Sequence, residues 1–351
     1  MSQHVPTLEE VALAAGVSRS TASRAINGGS RVSPEAQQAV DDAVARLGYI
    51  PNRAARSLVT RRTNSIALVV PEPDERVLSD PFFAATLRGI NSSLRDWDLQ
   101  LVLLIAQPGE ASGRISRYLR NGHVDGAIVV SHHRRDDLEG AIEASRLPAV
   151  FVGRPFRDFP GLRFVDVDNV AGGALATNHL LSQGRTTVAH VAGPSDMTSG
   201  EDRLAGWRQA LREAGVPEGP LARGDFTTAA GGQAMEKILE ADPTIDAVFV
   251  ASDLMAIGAL RVLAKHGRSV PEDVAVVGYD DLGVAEGALP ALTTISNPVV
   301  RMAHYATDEL LAMLGFIDKE DFVTPPGEPS PIIEADGRIV LAPVLVRRAS
   351  S

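Results

Sequence analysis

From residue 65 onward, short runs of consecutive apolar residues alternate with longer stretches whose apolar positions recur every three or four residues. The clearest apolar runs lie at 66–70, 99–106, 127–131, 150–153, 188–192, 247–252 and 274–279. Runs of this length and continuity predict strands buried on both faces. Helices fit between them, for example over 82–95, 170–182, 201–214, 231–240, 253–266 and 298–314. Strand–helix alternation predicts an α/β fold of parallel sheets with right-handed crossovers. Sheets of this kind bind ligands beyond the carboxyl ends of their strands.

The first fifty residues follow a purely helical pattern. Thr7 and Glu10 have the spacing of a capping box, after which Leu8, Val11, Ala12 and Ala15 share one face and Gly16 breaks the run. Ser18 can cap a second helix that reaches about Ile26 and ends at Asn27. Ser33-Pro34-Glu35 opens a third, which runs to Leu47 with Gly48 as its stop. Three short helices with a tight turn after the first predict a helix-turn-helix bundle. Within the second helix the apolar positions are small (Ala22, Ala25, Ile26), while Arg19, Ser20, Thr21, Ser23 and Arg24 supply hydrogen-bond donors. A slim helix with such a first turn can enter a major groove, with Arg19 and Ser20 reading base edges and Arg24 a base or a phosphate.

The net charge of −10 alters this picture only through its distribution. Residues 1–62 carry eight Arg against five acids, a surplus of +3, so the remainder carries −13. A basic head on an acidic body fits a DNA-contacting module joined to a unit with another task. Cysteine is absent, which excludes disulfides and thiolate metal sites, and nothing calls for a metal or cofactor. No apolar run approaches the ~20 residues of a membrane span, and the N-terminus does not read as a secretion signal. A cytoplasmic protein without a membrane partner is expected.

The segment TLEEVALAAGVSRSTASRAINGG, through LGYIPNRAARSL, resembles the head of the lactose repressor/galactose repressor family. The patterns AxxAGVSxxTxSRxxN and LGYxPNxxARSL carry the resemblance, which continues through the body. It implies that Thr7, Leu8, Ser18, Arg19, Ser20, Thr21, Ser23, Arg24 and Asn27 contact double-stranded operator DNA. After Pro51, Asn52 can cap a short helix over 53–59, which is marginal in isolation and needs a partner or DNA to form. The resemblance makes it a hinge helix in the minor groove. There Leu58 would wedge between base pairs and Ala55 allow close approach, flanked by Arg53 and Arg56.

For the body the resemblance implies a periplasmic-binding-protein-like fold of two lobes around a cleft. The expected division is 1–50 for the head, 51–63 for the hinge and 64–351 for effector binding and dimerisation. The first lobe would take 64–162 and 294–325, and the second 163–293 and 326–351. Polar and aromatic residues stand at the predicted strand ends: Phe82 and Phe83, Asp168 and Asn169, Arg203 after the loop containing Ser199, Phe226, Asp253 and Asp280. Carboxylates and a guanidinium suit paired hydroxyls, and aromatics suit the apolar face of a sugar. Taken singly each Asp reads as a cap or turn residue, and Asp253 can cap LMAIGALRVLA. Met197 stands where purine-sensing relatives carry Arg, which favours a sugar effector. The implied protein is a homodimeric regulator, a repressor relieved by its ligand. No GxSxG, P-loop or HExxH motif supports an enzyme, and a sugar-transport module would need an export signal and no DNA-binding head. The stretch 325–331 reads as a surface connection, and the tail 347–351 carries no reading.

Overall fold

The computed structural model describes residues 6–27, 32–50, 62–106, 111–136, 138–318, 330–333 and 337–351. The chain divides into two units, residues 1–63 and 64–351.

In the first unit, α1 (Leu8–Ala14), α2 (Arg19–Ile26) and α3 (Pro34–Leu47) form the expected bundle. Both halves of the capping box are made: Thr7 Oγ1 accepts from the Glu10 amide, and the Thr7 amide donates to Glu10 Oε2 at 2.8 Å. Ser18 and Ser33 cap the next two helices, and Gly48 ends α3 in the left-handed region at φ 63°. The small side chains Ala12, Ala22, Ala25 and Ala43 lie buried with Val11 and Val40, so three short helices can pack closely. The hinge expected at 52–59, with Asn52, Arg53, Ala55, Arg56 and Leu58, lies outside the described residues.

The second unit holds two sheets. Its first elements are β1 (Ser65–Val70), α4 (Asp74–Ser79), α5 (Pro81–Leu94), β2 (Gln100–Ile105), α6 (Ala111–Arg120), β3 (Gly126–Val130), α7 (Leu138–Ser145), β4 (Ala149–Val152) and β5 (Phe164–Val167). Then follow α8 (Asn169–Ser182), β6 (Val188–Ala192), α9 (Thr198–Ala214), β7 (Leu221–Arg223), α10 (Thr228–Ala241), β8 (Ala247–Val250), α11 (Asp253–Lys265), β9 (Ala275–Asp280) and β10 (Thr293–Ser296). The chain ends with α12 (Val299–Met313), β11 (Ile332–Ile333), β12 (Arg338–Leu341) and β13 (Val344–Val346).

The first sheet has the order β11-β12-β5-β4-β3-β1-β2 and the second β13-β10-β9-β8-β6-β7. All pairings are parallel except those of β11 with β12 and β13 with β10. Each sheet is covered on both faces, because alternate strand residues enter different cores. Ile66, Leu68 and Val70 join one apolar cluster, and Ala67 and Val69 another. Val248 and Val250 are parted from Ala247 and Phe249 in the same way. Apolar runs without alternation therefore become central strands.

The lobe boundaries differ from the expected ones. β5 pairs with β4 and β12 in the first sheet, and β10 pairs with β9 in the second. The crossings thus fall after Val167, after Ser296 and after Leu341, rather than near 162, 293 and 325. Residues 338–341 pair with β5 in the first lobe, whereas the expected division places 326–351 in the second.

The C-terminal tail is also more informative than its sequence. Ser350 is buried; its hydroxyl donates to the Val276 carbonyl at 2.6 Å and accepts from the Thr293 amide at 2.9 Å. Arg348 pairs with Asp281 at 2.8 Å. Among the described residues no helix is long and apolar enough to cross a membrane.

Two glycines set the approach of α8 and α9. A Cβ on Gly206 would lie 2.1 Å from the Val170 carbonyl oxygen, and one on Gly173 would lie 2.3 Å from that of Arg203. The helices therefore touch backbone to backbone, which fixes Asn169 and Arg203 side by side.

Candidate functional site

A cleft lies between the lobes, and its walls come from the carboxyl ends of strands in both sheets. The first lobe contributes Ser131 and His132 after β3, Gly153 after β4, Asp166 on β5, and Arg76, Asp80 and Phe82 around the start of α5. The second contributes Asn169, Met197, Ser199, Arg203, Phe226, Ser252 and Asp280, with Asn297 at the crossing into α12.

Arg203 organises the second wall. It is 4% exposed, with its guanidinium stacked 3.6 Å from the centroid of the buried Tyr279 ring. Nε donates to Asn169 Oδ1 at 2.9 Å, Nη1 donates to the Ala251 carbonyl at 2.6 Å, and Nη1 lies 3.6 Å from Asp280 Oδ1. Burial pushes the Asp280 carboxyl up to about 6, against the pull of Arg203 and with a push from Asp80. Asp166 accepts the amides of Arg154 and Val167 at 2.9 and 2.8 Å, yet burial still raises it to about 6. Asp80 caps α5 through the Phe82 amide, and its pKa is raised, again chiefly by burial.

Three cleft residues, Ser131, Phe226 and Asp280, hold φ of 52°, 68° and 118°, a region that non-glycine residues avoid. Each costs about 1–3 kcal/mol, and strain of this kind persists where surrounding structure enforces it, typically at ligand sites.

Of the residues read from sequence, Phe82, Asn169, Met197, Ser199, Arg203, Phe226 and Asp280 line this cleft. Phe83, Asp168 and Asp253 do not. Phe83 is one residue, about 100° of helix, past Phe82, so it turns into the apolar core with Phe82 edge-on at 5.3 Å. Asp168 is spent as the cap of α8, accepting the Ala171 amide at 2.8 Å. Asp253 does not cap α11; Ser252 does. Asp253 is buried behind the wall, accepting from Thr294 Oγ1 at 2.7 Å and from the Asp281 amide at 2.8 Å, with its pKa raised by burial and by Asp280.

Arg76, Asp80, Ser131, His132, Asp166 and Asn297 were missed. Polar residues directly after the apolar run 126–130 were the available signal for Ser131 and His132.

Several bonds join the lobes. Arg154 Nη2 donates to both carboxylate oxygens of Asp202 at 2.8 and 2.7 Å, and Thr198 Oγ1 donates to the Arg154 carbonyl. The Arg134 amide donates to the Asp196 carbonyl at 2.8 Å.

The head presents a second candidate surface. Arg19 and Arg24 are exposed on α2, with Arg19 Nε 2.5 Å from Glu9 Oε1 and Arg24 Nε donating to the Ser20 carbonyl at 3.2 Å. An exposed ion pair is worth about 0–1 kcal/mol, so Arg19 exchanges Glu9 for another partner at little cost. Ser18 Oγ bonds the hydroxyls of Ser20 and Thr21 at 2.9 and 2.8 Å, and Asn27 Nδ2 donates to the Ser23 carbonyl. Thr7 is held in its cap and Leu8 packs on the head core.

A donor-rich second helix in a three-helix head, followed by two parallel sheets around a polar cleft, defines a helix-turn-helix regulator with a periplasmic-binding-protein-like body. Comparisons with known proteins agree. Residues 7–52 match the model of bacterial regulatory proteins of the lacI family, and residues 177–351 that of the periplasmic binding protein-like domain. The chain is 46% identical to the HTH-type transcriptional regulator CelR of Thermobifida fusca, over 85% of this chain and 88% of that protein. It is 33% identical to the HTH-type transcriptional repressor CytR of Escherichia coli K12, over 83% and 85% respectively. A solved structure of a CelR–cellobiose complex superposes with a TM-score of 0.75 at 40% identity, covering 99% of this chain and 100% of that one. The lac repressor dimer bound to operator and the anti-inducer ONPF gives 0.81 at 27% identity, covering 99% of each. The chain belongs to the lacI family and is a transcriptional regulator, as these relatives are, rather than an enzyme.

Proposed function

We propose that this regulator is a dimeric repressor of a pseudo-palindromic operator, released when a sugar of the cellobiose class enters the cleft. The observation that carries the sugar reading is the wall formed by Arg203, Asn169 and Asp280 beside Phe226, which pairs hydroxyl-binding groups with an apolar ring face. Kinship with a regulator solved in complex with cellobiose supports it. Met197, an apolar side chain on the same wall, fits a sugar better than a nucleobase.

Two heads would read two half-sites through Arg19 and Ser20 on each, as twofold symmetry requires. Leu58 from both chains would open the centre of the site. A ligand shifts this equilibrium only if it prefers one arrangement of the lobes, and operator DNA must then weaken ligand binding by the same factor.

The test is selection of a binding site from random duplex DNA, then affinity measured against salt and against cellobiose, glucose and a nucleobase panel. Salt-sensitive, sequence-selective binding that cellobiose weakens is expected. Cellobiose tightening the complex would reverse the sign of regulation, and a response to nucleobases alone would overturn the sugar reading.

A further inference from the structure

His133 stands at the junction of the lobes with a carboxylate at each ring nitrogen. It follows β3 in the first lobe and is 5% exposed. Nε2 lies 3.1 Å from Oε1 of Glu72, which follows β1 in the same lobe. Nδ1 lies 3.0 Å from Oδ1 of Asp196, in the loop between β6 and α9 of the second lobe. One residue further on, the Arg134 amide donates to the Asp196 carbonyl at 2.8 Å, so side chain and backbone meet at one place.

A neutral imidazole carries one N–H, and both nitrogens are donors only in the protonated ring. In either tautomer, neutral His133 therefore turns a lone pair on one of the two carboxylates. Glu72, 2% exposed, also accepts from Arg76 and from Ser131 Oγ, each at 2.6 Å, within the first lobe. It keeps these partners when the lobes part. Asp196 is held to the first lobe by His133 and by Arg135, whose Nε lies 3.5 Å from Oδ2 in an exposed pair that solvent weakens. The neutral ring is thus relieved by moving Asp196 away, which moves one lobe against the other. The other charged groups around the ring are Arg76, Asp80 beyond it, and Asp136, which accepts the His133 amide at 2.8 Å. Glu75 and Asp225 lie on the rim of the adjoining cavity. His132, next in the chain, is pushed down to about 4 by burial and by His133, so it is uncharged at neutral pH.

We propose that His133 is a proton-operated latch: its protonated ring spans Glu72 and Asp196 and holds the lobes together, and loss of that proton loosens their junction. Burial opposes charge on the ring, but bonds to Glu72 and Asp196 and their attraction outweigh it and raise its pKa. Parting the lobes takes Asp196 from the ring and lowers its proton affinity, so by linkage protons favour the joined form. The latch is full below the ordinary histidine range and is lost as pH rises through the raised value. Arg154 with Asp202, and the Thr198 hydroxyl, still join the lobes, so the junction loosens without falling apart. The latch is indifferent to what fills the cleft. It acts on the arrangement of lobes that any ligand must also prefer, so proton and ligand bias one equilibrium.

Amide hydrogen exchange of the full-length protein at pH 6 and pH 8.5, each rate divided by the intrinsic rate at that pH, tests it on wild type, His133→Gln and Asp196→Asn. The reporter is the Arg134 amide, whose bond crosses the junction. The Ala127 amide, bonded to the Pro148 carbonyl at 2.9 Å inside the first lobe, shows whether that lobe is folded. In wild type, protection of Arg134 should fall at least about tenfold from pH 6 to pH 8.5, the worth of one bond to a charged group, with Ala127 unchanged. In both variants protection of Arg134 should no longer change with pH. Wild-type protection independent of pH would overturn the latch. A fall that persists in Asp196→Asn would do the same, since the proton would then act on Glu72 within one lobe, and one that persists in His133→Gln would assign it to another group. If His133→Gln also exposes Ala127, wild type and Asp196→Asn decide, because the Asp196 side chain is 31% exposed and its replacement leaves the buried Glu72 site intact.

Discussion

His133 of the first lobe and Asp196 of the second meet with Nδ1 and Oδ1 3.0 Å apart, while His133 Nε2 lies 3.1 Å from the buried Glu72 carboxylate. Burial works against charge on His133, but hydrogen bonds and attraction from Glu72 and Asp196 outweigh it and raise its pKa above 6.5. Glu72 is correspondingly lowered: burial opposes its charge, and His133, Arg76 and Ser131 overcome that. A raised folded-state pKa gives stability that is complete below the unfolded value and lost as pH rises through the folded one. His133→Gln should therefore cost about 2 kcal/mol at pH 6 and distinctly less at pH 8.5. Thermal melts of both proteins at the two pH values check this; a cost independent of pH would mean that charge on His133 contributes nothing.

Arg203 serves Asn169, the Ala251 carbonyl, Asp280 and the Tyr279 ring at once. Arg203→Met leaves the Asp280 carboxylate in the wall without its counter-charge and should destabilise the body by about 3–5 kcal/mol. Lys restores a charge but neither the planar stack nor the fork of donors, so Arg203→Lys should recover only part of the loss. Urea unfolding measures both, and a fully stable Lys variant would show that charge alone matters.

Gly206→Ala places a methyl group against the Val170 carbonyl, which cannot move without shifting α8. A loss of about 1–3 kcal/mol is expected. Gly173→Ala should act through the same displacement, so the double variant should lose less than the sum of the singles. Strict additivity in denaturant melts would show two independent sites.

Ser18 accepts the Thr21 amide at 3.1 Å and holds the first turn of α2, the helix proposed to read DNA. Ser18→Ala should cost the head about 0.5–2 kcal/mol. Hydrogen exchange should show faster exchange of the Thr21 amide, with protection in the body unchanged. Unchanged exchange at Thr21 would mean that the cap does not limit opening of that turn.

The central strands and the head were legible because their signals are local: unbroken apolar runs, caps at fixed offsets and a glycine stop. β5 and β12 were not marked as strands. Each has four residues, and they pair with each other across 170 residues of intervening sequence, with β4 and β11 as their outer neighbours. The same limit hid the lobe crossings. Within the cleft, position after a strand brought out Asn169, Arg203, Phe226 and Asp280, but it could not separate Asp280 from Asp253. One carboxylate faces the cavity and the other faces Thr294, a difference set by contacts between strands and helices distant in sequence. His132 and Asn297 carry no motif. Their distinguishing property is an unbonded atom in a buried place, which exists only once the chain is folded.

Three crossings mean that neither lobe is written as one unbroken stretch of the gene. A single recombination event cannot exchange one lobe for that of a relative, because either cut would divide a sheet whose strands come from both sides of it. The two halves of the cleft are inherited together. Replacing one wall of the cleft alone takes several cuts in the gene, whereas altering a single wall residue takes one codon.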